Sequence, residues 1–135
     1  MTARLLVLVA AAAVGALATA GYMLYRKRWT EAPERLPIDE LGLELMSGCC
    51  AFVIFTSPAC RPCKTAISVV QKVVSSSSAP TEIVTVDATQ DPELAVALGI
   101  RTIPTVFLIT ASGHVISRWR DVPDVEEARS ALAAI

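Results

Sequence analysis

Two cysteines separated by two residues are the strongest chemical feature of the sequence, in the segment Cys60-Arg61-Pro62-Cys63. This spacing allows a disulfide, but it also occurs in zinc sites, so the pair alone leaves both chemistries open. Apolar side chains recur at helical spacing after the pair, which predicts that the pair opens a helix. The unpaired N–H groups and the dipole at a helix start favour a thiolate, the species that attacks a disulfide. We therefore predict that Cys60 is the nucleophile and that Cys63, one turn further in, resolves the mixed disulfide.

The two residues between the cysteines are predicted to modulate this chemistry. Pro62 fits the first turn of a helix, where its missing N–H is not needed. Arg61 places a positive charge beside Cys60, which would favour the thiolate and make the couple more oxidising. An Arg61 side chain that simply faces solvent is the alternative, and the sequence leaves both interpretations open.

Alternating helical and extended patterns surround the pair. The unbroken apolar run 49–56 predicts a central strand that is covered on both faces. Asp91 is the expected N-cap of a short helix, and Gly99 is its expected end. The order helix, strand, helix, strand, helix, strand, strand, helix predicts an α/β fold in which helices sandwich a mixed sheet. The expected strands are 49–56, 81–87, 105–110 and 114–120, and the expected helices are 38–46, the segment after Cys60, 92–98 and a last helix from Asp124.

Residues 5–25 are the most apolar part of the sequence and carry no charged side chain. At about 1.5 Å rise per residue, such a helix crosses a hydrocarbon core of about 30 Å, which predicts one transmembrane helix. A cleaved secretory signal is the alternative, because Ala18-Thr19-Ala20 has the small-x-small form of a cleavage site.

The residues after the apolar segment indicate how the chain is organised. They are polar and include two prolines, which disfavour a continuing helix and suit a short tether. We predict a transmembrane anchor with a basic flank at 1–28, a tether at 29–36 and one folded domain at 37–135.

Charged residues beside the apolar segment bear on its orientation. Arg4 precedes it, whereas Arg26, Lys27 and Arg28 follow it. Basic residues near a membrane tend to stay on the cytoplasmic side, so the sequence favours a cytoplasmic domain over an extracytoplasmic one. The whole chain has 12 basic and 13 acidic residues, and its net charge of −1 gives no broad positive surface. We therefore expect no nucleic-acid partner.

The cysteine motif and a second segment together resemble the thioredoxin family. An apolar strand precedes Cys60, and the segment 99–105, with the letters GIRTIPT, leads into a later strand. The resemblance covers residues 36 to 135 and implies a redox pair. It also implies a cis bond before Pro104 and substrate binding by Ile103, Pro104 and Thr105.

Three positions depart from the family pattern. Ala59 replaces the tryptophan before the first cysteine, and Ile54 replaces the buried acid that assists proton transfer from the resolving thiol. Ile83 is expected in the place of the lysine partner of that acid. Proton transfer from Cys63 must then use water, substrate groups or another residue.

Cys49 and Cys50 complete a set of four cysteines, which raises the alternative of a four-thiolate metal site. Adjacent residues of a strand point to opposite faces, and both cysteines lie far along the chain from the helix start. We therefore predict no metal and assign these two side chains a role as small apolar fillers.

Taken together, these features predict a thiol–disulfide oxidoreductase. It would exchange dithiol and disulfide with protein substrates at the membrane surface, as a reductase that receives electrons from a redox partner and needs no cofactor. Two alternatives stay open. One is an extracytoplasmic exchanger in cytochrome maturation or oxidative folding, and the other is a thioredoxin-fold binding module with low activity.

Overall fold

The computed structural model describes residues 2–30 and 32–135, and the chain divides into two compact units, Met1–Glu31 and Ala32–Ile135. The first unit contains helix α1, Thr2–Thr30. Its segment Ala3–Arg26 is long and apolar enough to cross a membrane by length and composition. A signal sequence near an N-terminus would have the same properties.

Helix α1 continues to Thr30, two residues into the segment predicted as a tether. The basic cluster used to predict orientation falls partly on Lys27 and Arg28, whose side chains lie outside the described part of the structure. The orientation and the exact domain bounds therefore stay predictions.

The second unit is built on a mixed sheet of four strands in the order β2-β1-β3-β4. The pair β1–β2 is parallel, whereas β1–β3 and β3–β4 are antiparallel. The prediction of an α/β fold with a mixed sheet and helices is thereby confirmed. The strands are β1 Cys50–Thr56, β2 Thr81–Asp87, β3 Thr105–Thr110 and β4 Val115–Trp119, and the helices are α2 Arg61–Ser75, α3 Pro92–Ala97 and α4 Val125–Ala133.

Strand β1 is buried on both faces, which explains its unbroken apolar sequence. Phe52 and Ile54 belong to a cluster formed with α2 and α4, which includes Val70 and Leu132. The alternate residues Val53 and Phe55 point to the opposite face of the sheet. There they form a second cluster with Phe107, Leu98 and Ile100. The sheet thus separates two apolar cores, as expected for a strand with helices on both sides.

Helices α3 and α4 begin at capping residues that the sequence identifies. The Asp91 carboxylate accepts a hydrogen bond from the N–H of Leu94 at 2.9 Å. The Asp124 carboxylate accepts from two N–H groups in the first turn of α4 at 2.9 and 3.1 Å. Gly99 follows α3 with a φ of 68°, and its N–H donates to the Val96 carbonyl. The predicted start and end of α3 are confirmed.

The predicted helix at 38–46 was wrong, because the structure has a turn at 38–42 and irregular backbone at 43–46. A single turn forms after Pro37 and ends at Gly42, whose φ is 63°. The N–H of Gly42 donates to Asp39 O and the N–H of Leu43 to Ile38 O, which is the paired bonding of a Schellman ending. The leucines at 41, 43 and 45 are instead partly buried against the cluster around Phe55 and Phe107.

A glycine in the β3–β4 turn is required by close packing as well as by conformation. Gly113 is buried, its φ is 84°, and a Cβ there would lie 2.6 Å from the Leu36 carbonyl oxygen. Gly113 also accepts a hydrogen bond from the Leu36 N–H at 2.8 Å. By contrast, a Cβ on Gly42 would meet nothing within 4 Å. Both positions need a left-handed backbone, but only Gly113 also lacks space.

We predict that Gly113→Ala destabilises the domain more than Gly42→Ala does. Each substitution costs about 1–2 kcal/mol for the left-handed conformation, and Gly113→Ala must also displace a backbone carbonyl. Urea unfolding of the full chain in a nonionic detergent measures both changes. Equal losses in the two variants would contradict the proposed contact with Leu36.

Candidate active site

The cysteine pair lies at the C-terminal end of the central strand. Strand β1 ends at Thr56 and helix α2 begins at Arg61, so Cys60 takes the N-cap position and Pro62 lies in the first turn. The prediction that the pair opens a helix is confirmed. The side chains of Arg61 and Pro62 are exposed, whereas Cys63 is only 4% exposed.

Cys60 and Cys63 form a disulfide, with their Cα atoms 5.4 Å apart. Cys60 Sγ accepts a hydrogen bond from the N–H of Cys63 at 3.2 Å, which places this sulfur at the free N–H groups of α2. The same N–H and the helix dipole would stabilise a thiolate on Cys60 after reduction. The partly exposed Cys60 is therefore the sulfur that an outside thiol or disulfide can reach, while Cys63 lies inside.

The segment before β3 contains a cis peptide bond between Ile103 and Pro104. Pro104 and Thr105 are buried, and Ile103 is partly buried. Thr105 pairs with Phe55 of β1, so this segment reaches the end of the sheet from which Cys60 follows. The topology thus places the three predicted binding positions and the cysteine pair at one end of the sheet.

Hydrogen bonds from side chains fix the loop between α3 and β3. The hydroxyl of the buried Thr105 donates to Thr102 O at 2.7 Å, and the hydroxyl of Thr102 donates to Arg120 O at 2.8 Å. Arg118 Nη2 donates to Gly99 O at 2.5 Å, where α3 ends. Strand β4 and the residue just after it therefore support both ends of the loop.

Arg118 is a contributor to this region that the sequence analysis missed. Its guanidinium carbon lies 5.3 Å from the ring centroid of Phe107, its strand partner in β3. Burial is the main cause that lowers the pKa of Arg118, and the positive charge of Arg120 adds to the effect. The inward path of this side chain depends on strand pairing, which the sequence of an edge strand does not reveal.

Ile54 lies where the resemblance led us to expect a buried acid. It is fully buried in the cluster beneath α2. The register places Thr85 beside Ile54, whereas Ile83 lies beside Phe52. Ile83 packs against the same cluster as Ile54, and the expectation that it takes the place of the lysine partner stays a prediction. Neither Ile54 nor Thr85 can take up a proton from Cys63 at neutral pH.

Cys49 and Cys50 are free thiols at the opposite end of β1 from the redox pair. Both side chains are buried. Burial raises the pKa of Cys50, and the neighbouring Cys49 raises it further. These thiols therefore pack in the protein interior, as small apolar side chains do.

A sequence profile of the family described as thioredoxin matches residues 45–132, which is more than half of the chain. The chain belongs to the thioredoxin family. Its fold is also similar to solved thioredoxins. The reduced form of desulfothioredoxin from Desulfovibrio vulgaris Hildenborough is 27% identical with a TM-score of 0.55, and the match covers 67% of this chain and 83% of that chain.

Two more distant thioredoxins share the fold. Thioredoxin-2, a component of the malaria parasite protein secretion machinery, is 14% identical with a TM-score of 0.58 over 67% of this chain and 87% of that chain. Chloroplastic thioredoxin z is 18% identical with a TM-score of 0.55 over 64% and 78% of the two chains. The thioredoxin fold and the Cys60–Cys63 pair support a thiol–disulfide oxidoreductase in general terms, with protein disulfides and redox partners as the general reactants.

We predict that the four thiols of this thioredoxin differ sharply in their reaction with iodoacetamide after mild reduction. Cys60 should be labelled first at neutral pH. Cys50 should stay unlabelled, because its side chain is buried and because its raised pKa lowers the fraction of thiolate at neutral pH. Peptide mass mapping over time measures the order, and a sample in denaturant, where all four should react, is the control. Labelling of Cys50 as fast as Cys60 would contradict this assignment.

Proposed function

We propose that this protein is a membrane-tethered thioredoxin that reduces protein disulfides. The observation that supports it most directly is a partly exposed Cys60 joined to a buried Cys63 at the start of α2. An exposed nucleophile and an internal resolving thiol are the two parts that dithiol exchange requires.

The proposed reaction begins with the reduced pair. The Cys60 thiolate attacks one sulfur of the substrate disulfide, a mixed disulfide forms, and the other substrate sulfur leaves as a thiolate. Cys63 then loses its proton and attacks Cys60 Sγ, which releases the second substrate thiol and closes the Cys60–Cys63 disulfide. Two electrons pass from the pair to the substrate, and a dithiol redox partner returns them. No cofactor enters this exchange.

The other site residues have supporting roles in the proposal. Arg61 and Pro62 modulate the reactivity of the pair from the first turn of α2. Ile103, Pro104 and Thr105 bind the substrate chain, by resemblance to the family and in keeping with their place at the same end of the sheet. With Ile54 in the apolar cluster, the proton of Cys63 leaves through water or through groups of the bound substrate.

The direct test of catalysis is insulin reduction driven by a dithiol, with the full chain in a nonionic detergent. We expect Cys60→Ser to fall to the uncatalysed rate, because the nucleophile is lost. Cys63→Ser should also lose turnover. When this variant is reduced, freed of the dithiol and mixed with insulin, it should accumulate a stable mixed disulfide, which intact mass measures. If the wild type is no faster than Cys60→Ser, the protein is a binding module of thioredoxin fold, the alternative that Ile54 and Ala59 suggest.

We further propose that residues 1–28 anchor the protein in the cell membrane, that 29–36 form a tether, and that the domain 37–135 is cytoplasmic. The apolar segment Ala3–Arg26 supports the anchor, and the basic residues after it support the orientation. The free thiols of Cys49 and Cys50 also suit a reducing compartment.

Alkaline phosphatase fused after Ile135 tests the orientation, because this enzyme is active only outside the cytoplasm. We expect an inactive fusion that stays in the membrane fraction with its N-terminus intact by mass. An active fusion would instead favour the extracytoplasmic exchanger. A shortened protein in the soluble fraction would show that the apolar segment is a cleaved signal.

A further inference from the structure

One partly buried arginine lies beside the loop between α3 and β3 and takes no part in the exchange chemistry. Arg118 pairs with Phe107 across β3 and β4, and its guanidinium carbon lies 5.3 Å from the centre of the Phe107 ring. Its Nη2 donates a hydrogen bond to Gly99 O. Its Nε and Nη1 are buried and have no hydrogen-bond partner in the described part of the chain. Donors withdrawn from water without a partner cost folding free energy, so the stability of the core does not explain this arginine.

The loop that Arg118 contacts contains proposed substrate-binding positions. We refer to residues 99–104, which lie between α3 and β3, as the binding loop. Ile103 and Pro104 are its last residues, and Thr105 begins β3. Outside the helices and strands, no backbone–backbone hydrogen bond of the described chain involves residues 102–104. The position of the binding loop therefore depends on bonds from side chains and on contacts at its two ends.

The two ends of the binding loop are held in different ways. At its last residue the chain enters the sheet, where the hydroxyl of Thr105 donates to Thr102 O at 2.7 Å. At its start Gly99 follows α3, a helix of six residues with none fully buried. The residues on either side of Gly99 add apolar contacts, but these are non-directional. The bond from Arg118 to Gly99 O is directional and charge-assisted, and it therefore fixes the start of the loop.

We propose that Arg118 is a positioning residue that holds the binding loop where a substrate chain can lie against it and reach Cys60, a role that rests on the proposed reductase function. Its side chain extends from β4, the neighbour of β3, to the end of α3, so it joins the two ends of the loop. Without this bond the loop shifts, and a substrate chain binds less well. The Cys60 thiolate is unchanged, so a small disulfide is still reduced at the ordinary rate.

Two disulfides of different size test this role. The wild type and Arg118→Met, as full chains in a nonionic detergent, are reduced, freed of the dithiol and mixed with insulin or with hydroxyethyl disulfide. We expect Arg118→Met to lower the rate constant for insulin roughly tenfold and to change that for hydroxyethyl disulfide less than about twofold. Over a series of insulin concentrations, the half-saturating concentration should rise while the limiting rate stays the same. Intact mass after quenching with iodoacetamide measures the formation of the Cys60–Cys63 disulfide.

Two further variants serve as controls. The ammonium group of Arg118→Lys can still donate towards Gly99 O but lacks the planar fork of a guanidinium, so its insulin rate should fall only about threefold. Arg129 lies in α4 and pairs with Glu126, so Arg129→Met should leave both rates unchanged. Urea unfolding in the same detergent checks that each variant is folded. If Arg118→Met is unfolded, Arg118→Lys decides, because its loss must be confined to insulin.

Trypsin measures the position of the loop without any disulfide exchange. Arg101 lies in the binding loop and is followed by Thr102, so the loop contains a bond that trypsin can cut. Cleavage requires the loop to leave its place, and loss of the Arg118 bond makes this opening easier. We expect cleavage after Arg101 to be roughly fivefold faster in Arg118→Met than in the wild type. Cleavage after Lys72 in α2 is the internal reference and should not change.

The outcomes separate this proposal from the reductase function. Slower reduction of insulin alone, with faster cleavage after Arg101, is the expected result. Unchanged insulin rates in Arg118→Met would overturn the positioning role and leave the reductase function standing. Equal losses with both disulfides would show that Arg118 acts on the cysteine pair itself, which also overturns the role. A wild type no faster than Cys60→Ser with either disulfide would overturn the reductase function as well.

Discussion

In the centre of the sheet, β1 pairs with β2 on one side and with β3 on the other, while its side chains pack against both layers of the domain. A strand held on all four sides has little freedom to shift, because a slip of one residue would exchange its two buried faces. The chain that leaves β1 after Thr56 therefore starts α2 at a fixed place. The position of Cys60 follows from the burial of residues that take no part in its chemistry.

Sequence was most informative where the determinants are local. The carboxylate of Asp91 is three residues from the N–H that it caps, so the start of α3 could be predicted. The segment 38–46 has helical composition, but Gly42 ends its first turn, and Leu43 and Leu45 after it are partly buried against the cluster around Phe55. The strand neighbour of Ile54 and the inward path of Arg118 depend on register, which is set by the whole sheet.

The active site combines a family framework with side chains particular to this chain. The framework consists of the helix start at Cys60 and the cis bond before Pro104, both of which belong to the backbone. Proton transfer and partner choice depend on side chains, and here Ile54 is apolar while Arg118 and Arg120 support and border the loop. A fold can therefore keep its exchange chemistry while its rate and its choice of substrates change.

The two buried thiols have a consequence for electron stoichiometry. Cys50 is the first of the seven residues of β1, so six steps of about 3.3 Å place it about 20 Å from the strand end at Thr56, beyond which the redox pair follows. Cys49 and Cys50 are therefore too distant to capture the mixed disulfide on Cys60 or to pair wrongly with Cys63. Each reduced molecule carries two usable electrons and not four, and a partner that delivers one electron pair restores it completely.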